Sequence, residues 1–220
     1  MKNCTNAKIV MKDLAHDFIC KDILMVAFSS SYPCVSLKKQ SAQSKINKVI
    51  KSQVEGFFNY VKTTLFSQAK EEYDYAMENN FPFRPFEAVL NYTVTYNACN
   101  LLSMYRDSYE YTGGAHGSTL RQSNTFDITR GNCLSLSDFF YGNPCHHEYI
   151  IKQIIKQADK NMSENPYIYF ENYKELIREN FNPKSFYLTN DGIVIYFQQY
   201  EIAPYSTGIV EFTVNFCNDK

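Results

Sequence analysis

A histidine set in a glycine-rich bend is the first place where this chain offers chemistry. The run Tyr109-Glu110-Tyr111-Thr112-Gly113-Gly114-Ala115-His116-Gly117 places three glycines within five positions, between two strand-like stretches. Glycine reaches backbone angles that other residues avoid and lets neighbouring backbone come close. Histidine is the side chain that titrates near neutrality. Read plainly, the run is a connection between strands that leaves a histidine exposed. Read as a site, it is a loop that presents a titratable group beside Tyr111, with Gly113 and Gly114 shaping the approach.

Other chemistry-bearing groups are weaker. Cys145-His146-His147-Glu148 is dense in metal-ligand types, but neighbours on a helix point about 100° apart and rarely share one ion. The chain is therefore read as having no metal site and no cofactor. Ser118 follows Gly117 without the G-x-S-x-G elbow of a hydrolase nucleophile. The glycine run also lacks the Lys-Ser/Thr ending of a phosphate loop. Paired carboxylates would serve hydrolysis, and Asp127, Asp138, Glu201 and Glu211 are the candidates; Glu211 reads as part of a solvated face. Glu201 stands in Tyr200-Glu201-Ile202-Ala203-Pro204-Tyr205, where a strand pattern breaks at a proline between tyrosines. That segment is either a bulged connection packed by its own tyrosines or an aromatic recognition edge carrying one acid, of the kind enriched at interfaces.

The elements that must position these groups read as follows. Ile23 to Tyr32 is a strand ending at Pro33. Lys45 to about Met77 has helical spacing, with Ile46, Val49, Ile50, Val54, Phe57, Phe58, Val61, Leu65, Ala69 and Ala76 on one broad face, and Gly56 is the expected kink. Residues 90–97 alternate as a strand, turn at Asn97–Asn100 and pair with Leu101–Tyr111. Arg121–Thr129 is the next strand. Ser135 and Asp138 have capping-box spacing before a short helix that Gly142-Asn143-Pro144 stops. Helices follow at Cys145–Met162 and around Tyr173–Phe181. A hairpin turns at Asn190-Asp191-Gly192, and the last strand runs from Val210 to Phe216. The fold class is α+β: mainly antiparallel sheet covered by one long N-terminal helix and a second helix near 146–162, in two sub-domains. These are an N-terminal lobe over 20–114 and a C-terminal lobe over 115–217, preceded by an extension over 1–19.

Totals exclude several classes. The 220 residues hold 22 basic and 23 acidic side chains, for a net charge of −1. Nothing in this balance argues for nucleic acid or an anionic membrane, which call for a basic patch. The aromatic share of 16%, all Tyr and Phe, suits half-exposed sheets and recognition surfaces. Seven cysteines, an odd number with no CxxC pair, speak against a zinc finger or a thioredoxin motif. They suit a reducing compartment or an anaerobe, with one or two disulfides left open. No stretch approaches the roughly 20 apolar residues that span a bilayer, and Met1–Lys12 does not read as a secretory leader.

Three segments together carry a family likeness: Tyr111–Gly117, Asn124–Phe140, and Phe186-Tyr187-Leu188 with Tyr196–Tyr205. Their order and spacing resemble the extracytoplasmic domain of the RsiV-type anti-sigma factors. That uncharacterised domain family is similar to the region preceding the catalytic domain of the peptidoglycan deacetylase PdaC. The resemblance implies an α+β domain outside a Gram-positive cell membrane, binding lysozyme in the anti-sigma relatives and accompanying a separate catalytic domain in the deacetylases.

The resulting expectation is a non-catalytic, extracytoplasmic envelope domain that recognises a lysozyme-like protein or a cell-wall glycan through Tyr111, Gly113, Gly114, His116, Tyr200, Glu201 and Tyr205. Two alternatives stand beside it. One is a cell-wall hydrolase or deacetylase-associated module, with His116 as acid or base and Glu201 or Asp127 as its partner. The other is a purely structural envelope module.

Overall fold

The computed structural model describes residues 5–140 and 145–215. The fold is α+β. Among the described residues nine strands form two sheets, a six-stranded mixed sheet in the order β1-β2-β3-β4-β5-β6 and a three-stranded antiparallel sheet in the order β7-β8-β9. The strands are β1 Lys8–Cys20, β2 Ile23–Ser36, β3 Phe86–Ala98, β4 Leu101–Tyr111, β5 Ser118–Asp127, β6 Asn132–Leu134, β7 Phe186–Thr189, β8 Gly192–Phe197 and β9 Val210–Val214. The chain divides into two compact units. One takes in Ala7–Thr93 and Arg106–Leu120; the other takes in Val94–Tyr105 and the described residues from Arg121 onward.

In the first unit, β2 and β3 run parallel, with Val26 opposite Phe86 through Ser31 opposite Asn91. Parallel neighbours need a long crossover, and the N-terminal helix supplies it. It runs as α1 Gln40–Tyr60, a π turn Val61–Leu65 and α2 Phe66–Glu78. Ala42, Ile46, Ile50 and Val54 are buried along α1, then Val61, Leu65, Ala69 and Ala76. Steps of four overshoot one helical turn by about 40°, so the apolar stripe rotates around α1. The wider π turn rotates less per residue and returns the stripe to the sheet. The irregularity therefore sits at Val61–Leu65 and not at Gly56, which lies inside regular helix with open space where a Cβ would go. Val61, Leu65 and Ala69 of this face pack with Phe18, Met25, Val26, Phe28, Phe86 and Ala88. Each such aliphatic or aromatic side chain contributes about 1.5–3 kcal/mol by leaving water.

Two further elements differ from the sequence reading. First, β2 continues through Pro33, which pairs with Met11. The parallel ladder with β3 stops at Ser31, so beyond it β2 has one strand neighbour and tolerates a residue without an N–H. Asn47 of α1 occupies the vacated side. Its Oδ1 accepts from the Val35 N–H at 2.9 Å and its Nδ2 donates to the Val35 carbonyl at 2.8 Å. Replacing Asn47 with alanine strands both groups of a buried residue and is expected to cost about 1–3 kcal/mol in urea unfolding; a change below about 0.5 kcal/mol would show that water replaces it. Second, Lys8–Cys20 is a strand. Ten of its thirteen residues are exposed, so no apolar alternation marks it. Pairing with β2 along its whole length makes it an edge strand.

In the second unit, β3 and β4 meet across Cys99 and Asn100, whose φ values of 49° and 65° suit a tight hairpin. Helices α3 His146–Glu164 and α4 Tyr173–Asn180 pack on the β7–β9 sheet through Ile150, Ile154, Ile177, Ile195, Phe197 and Phe212. Asp159 on α3 joins them, accepting from the Tyr173 hydroxyl at 2.5 Å and from Lys174 Nζ at 3.1 Å. The Ser135–Asp138 capping box forms, with the Ser135 N–H donating to Asp138 Oδ2 at 2.7 Å. Strand β5 begins at Ser118, earlier than Arg121, and ends at Asp127. The stop expected at Gly142-Asn143-Pro144 and the strand end at Phe216 lie outside the described residues. Among the described cysteines, those at 20, 34, 99 and 133 are free thiols. Among the described residues no helix is long and apolar enough to cross a membrane.

Candidate functional site

The glycine loop belongs to the first unit. Gly113 and Gly114 take φ values of 97° and 84°, with open space around each Cβ position. They are needed for backbone conformation alone. Gly117 is the reverse case. A Cβ there would lie 2.5 Å from the Glu110 carbonyl oxygen and from the Tyr109 ring, so this glycine allows the loop to close against β4. The Tyr111 hydroxyl donates to the Gly114 carbonyl at 3.0 Å and lies 3.5 Å from Arg84 Nη1. Below it, the Tyr60 hydroxyl donates to Glu110 Oε2 at 3.1 Å. His116 is exposed, with Nδ1 3.2 Å from the Gly117 carbonyl oxygen. Tyr111, Gly113, Gly114 and His116 are thus brought into one braced loop.

Tyr200, Glu201 and Tyr205 belong to the second unit. After β8, residues Gln198–Glu201 close a turn in which the Glu201 N–H donates to the Gln198 carbonyl at 3.2 Å and the Gln198 N–H donates to Glu201 Oε2 at 2.7 Å. Half-burial pushes the Glu201 carboxyl above its ordinary value near 4.5, partly opposed by that backbone donor. The following Ile202 and Ala203 are buried and anchor the corner, and the Ile202 carbonyl accepts from the Phe170 N–H at 3.1 Å. Tyr200 and Tyr205 stand beside each other with ring centroids 5.8 Å apart. Tyr200 is 57% exposed and has φ 67°. A bulky residue in that left-handed region is an outlier.

The raised Glu201 carboxyl has a testable sign. Its folded value exceeds the unfolded one, so its ionisation costs stability above the folded value, and that cost disappears as pH falls through it. Glu201→Gln keeps an acceptor for the Gln198 N–H. It is expected to be more stable than the parent at pH 7, with the difference shrinking as pH drops toward 4.5. Equal stabilities across that range in thermal melts would show that the carboxylate is fully solvated.

A third cluster, missed by the sequence reading, also lies in the second unit. The Arg121 guanidinium sits 3.7 Å from the centre of the Tyr105 ring and pairs with Glu211. Its side chain is 11% exposed. The Tyr187 hydroxyl donates to Glu211 Oε1 at 2.7 Å; burial and then this bond hold that phenol well above the usual range. Glu211 is therefore a partner in an ion-pair cluster and not simply part of a solvated face. The backbone N–H of Arg121 donates to Gln198 Oε1 at 2.9 Å, and Gln198 Nε2 donates to the Arg121 carbonyl at 2.7 Å. Gln198 thus ties the start of this cluster to the Tyr200 turn. The signal available in the sequence was positional: Arg121, Ser123 and the buried Thr125 share one face of β5 at period two.

The remaining candidates have structural partners. Asp127 Oδ1 accepts from the Thr129 N–H at 2.7 Å and its hydroxyl at 2.6 Å, organising the turn into β6. His146 stacks on Phe140 at 5.7 Å and lies 4.3 Å from His147, while Glu148 pairs with Arg178 at 3.4 Å. Among the described residues no three His, Cys, Asp or Glu side chains gather as a metal site would require.

Two stretches of the chain are similar to known families. Residues 20–119 match the family model described as deacetylase PdaC, and residues 137–216 match that of a protein of unknown function, DUF3298. A curated relative is the peptidoglycan-N-acetylmuramic acid deacetylase PdaC of Bacillus subtilis (strain 168), 26% identical over 122 residues, which are 53% of this chain and 25% of the deacetylase. The aligned part thus spans a quarter of that relative's length. Among solved structures, a DUF3298 family member from Bacteroides fragilis has a TM-score of 0.71 at 17% identity, covering 96% of this chain and 92% of its own. A DUF3298 family protein from Pseudomonas aeruginosa PAO1 has a TM-score of 0.60 at 16% identity, covering 95% and 91%. At these identities the two structures speak for the fold alone.

Proposed function

We propose that this chain is a non-catalytic, extracytoplasmic binding domain of the cell envelope that recognises a lysozyme-like protein or a peptidoglycan-related ligand, with Tyr200 and Tyr205 as its aromatic contact. The observation that carries this reading is the backbone of Tyr200. Strained conformations of this kind persist where surrounding structure over-determines them, and they gather at binding sites. Here the strain holds a large, exposed ring beside Tyr205 on an anchored corner. Paired aromatic rings suit either the flat face of a sugar or a protein hot spot. The carboxylates considered for hydrolysis support binding over catalysis, because each is engaged elsewhere. Asp127 organises a turn, Asp138 caps a helix, Glu201 closes the corner and Glu211 pairs with Arg121. The match to a peptidoglycan deacetylase adds the envelope and wall material as context.

Calorimetric titration with hen egg-white lysozyme and with soluble peptidoglycan fragments tests the reading. Binding of one of them at micromolar concentration or tighter is expected. Silence from both would end the proposal. Tyr200→Gly separates function from strain. Relief of the left-handed angle is worth about 1–2 kcal/mol and the added chain entropy costs about 0.5–1 kcal/mol, so stability should stay level or rise by up to about 1.5 kcal/mol. Binding should weaken at least tenfold, about 1.4 kcal/mol. His116→Ala tests the glycine loop on its own; an effect on both binding and stability within about 0.5 kcal/mol would make that loop architectural.

A further inference from the structure

A groove on the first unit lies at the far end of β2 and uses no residue of the glycine loop, the Tyr200 corner or the Arg121 cluster. Its floor is Pro33 and Ile50, both buried. One wall is the directly opposed pair Lys12 and Tyr32 on β1 and β2. The other wall is Asn47 and Lys51 on α1. This part holds about 340 Å³. Past Asn47 and Lys51 it opens onto a shallow stretch of the α1 surface that carries Gln40, Gln43 and Lys48. The volume of the enclosed part falls in the range of small-ligand sites.

The charge around this groove is one-sided, although the whole chain is nearly neutral. From Ser36 to Val54 there are five lysines, at 38, 39, 45, 48 and 51, and no carboxylate. Lysines 12, 48 and 51 line the groove itself. The acids nearest in sequence do not cancel them. Asp13 follows Lys12 on the strand and so points to the opposite face of β1. Glu55 pairs with Lys51 at 3.4 Å, but both side chains are more than half exposed, and such pairs are screened and weak. The amide of Asn47 is held in place by Val35, and Gln43 Oε1 accepts from the Leu37 N–H at 2.8 Å. The groove wall is therefore fixed before any ligand arrives, which lowers the ordering cost of binding.

We propose that this groove binds the acidic group of an anionic polysaccharide, with Lys12, Lys48 and Lys51 as charge partners and the Tyr32 ring as the platform for a sugar face. An anionic membrane is the competing occupant, because Val10 and Leu14 are exposed on the same face of β1 as Lys12, and the vesicles in the test below decide against it or for it. Short reach favours the polysaccharide over duplex nucleic acid, which is met by an extended basic stripe. The site is separate from the Tyr200 corner and does not depend on that reading.

The test is titration of the intact chain with a galacturonic acid oligosaccharide at low salt, beside a neutral maltose oligosaccharide of equal length, phosphatidylglycerol vesicles and duplex DNA. Expected are saturable binding of the acidic oligosaccharide, at least tenfold weaker binding of the neutral one, and loss of affinity as salt rises. The triple variant Lys12→Gln, Lys48→Gln, Lys51→Gln, which changes only exposed side chains, should bind the acidic oligosaccharide at least tenfold more weakly with an unchanged melting temperature. Tyr32→Leu should weaken it further while keeping the lysines. Absence of binding, equal binding by the triple variant, or tighter binding to vesicles or DNA than to the acidic oligosaccharide would overturn the proposal. Tyr200→Gly should leave this binding unaltered, so failure here and failure of the corner are read separately.

Discussion

Replacing Glu211 with alanine is expected to destabilise the protein by about 2–3 kcal/mol, measured by urea unfolding, and to lower the melting temperature by roughly 5–10 °C. The reason is what the substitution leaves behind. Arg121 is nearly enclosed, stacked on Tyr105, and keeps its charge at every working pH. Removing its carboxylate strands that charge, and removing one partner of a buried pair costs far more than the pair's net worth. The Tyr187 hydroxyl loses its acceptor in the same step. Glu211 itself is 40% exposed, which places the expected cost below that of a fully enclosed pair. The double variant Arg121→Met, Glu211→Leu removes both charges and should recover most of the loss, because apolar replacement of an ion pair is often neutral. A single-variant cost under about 0.5 kcal/mol would show that water reaches the guanidinium and that the cluster is a surface pair.

Substituting Gly117 with alanine is expected to cost about 1–3 kcal/mol and to disturb the loop that carries His116. The added methyl would meet the Glu110 carbonyl oxygen and the Tyr109 ring at 2.5 Å. The ring can rotate away, but the carbonyl is backbone of β4, so strand or loop must shift, and overpacking of this size carries that penalty. Gly114→Ala gives the contrast. It meets open space, so its cost is only that of a left-handed angle, about 1–2 kcal/mol. Amide exchange at Glu110 to Ser118 should rise for both variants and rise more for Gly117→Ala, which alone displaces the β4 backbone. Equal exchange in the two variants would refute a packing role for Gly117.

Local pattern wrote most of the elements. The 90–97 alternation, the Asn190-Asp191-Gly192 hairpin, the Ser135–Asp138 capping box and the apolar face of α3 all formed where their residues pointed. Those signals are local, since a period of two or 3.6 states which face is buried without naming the partner. Strand β1 had no such signal because an edge strand buries little, and only its pairing with β2 makes it a strand. The π turn at Val61 was hidden for a related reason. It corrects an accumulated rotation along α1, which matters only once the helix lies against a sheet.

Of the seven residues picked for recognition, their local settings were partly legible. Glycines that need positive φ and a proline corner between tyrosines follow from backbone sterics. The chain alone therefore determined an α+β body, its turns and the residues standing at them. Only the tertiary structure decided that Arg121 meets Glu211, that Gln198 holds the Arg121 backbone, and that Tyr200 occupies an angle suited to glycine. Polar partners come from distant strands, and their pairing is set by which packed faces meet, a long-range outcome that neither spacing nor composition records.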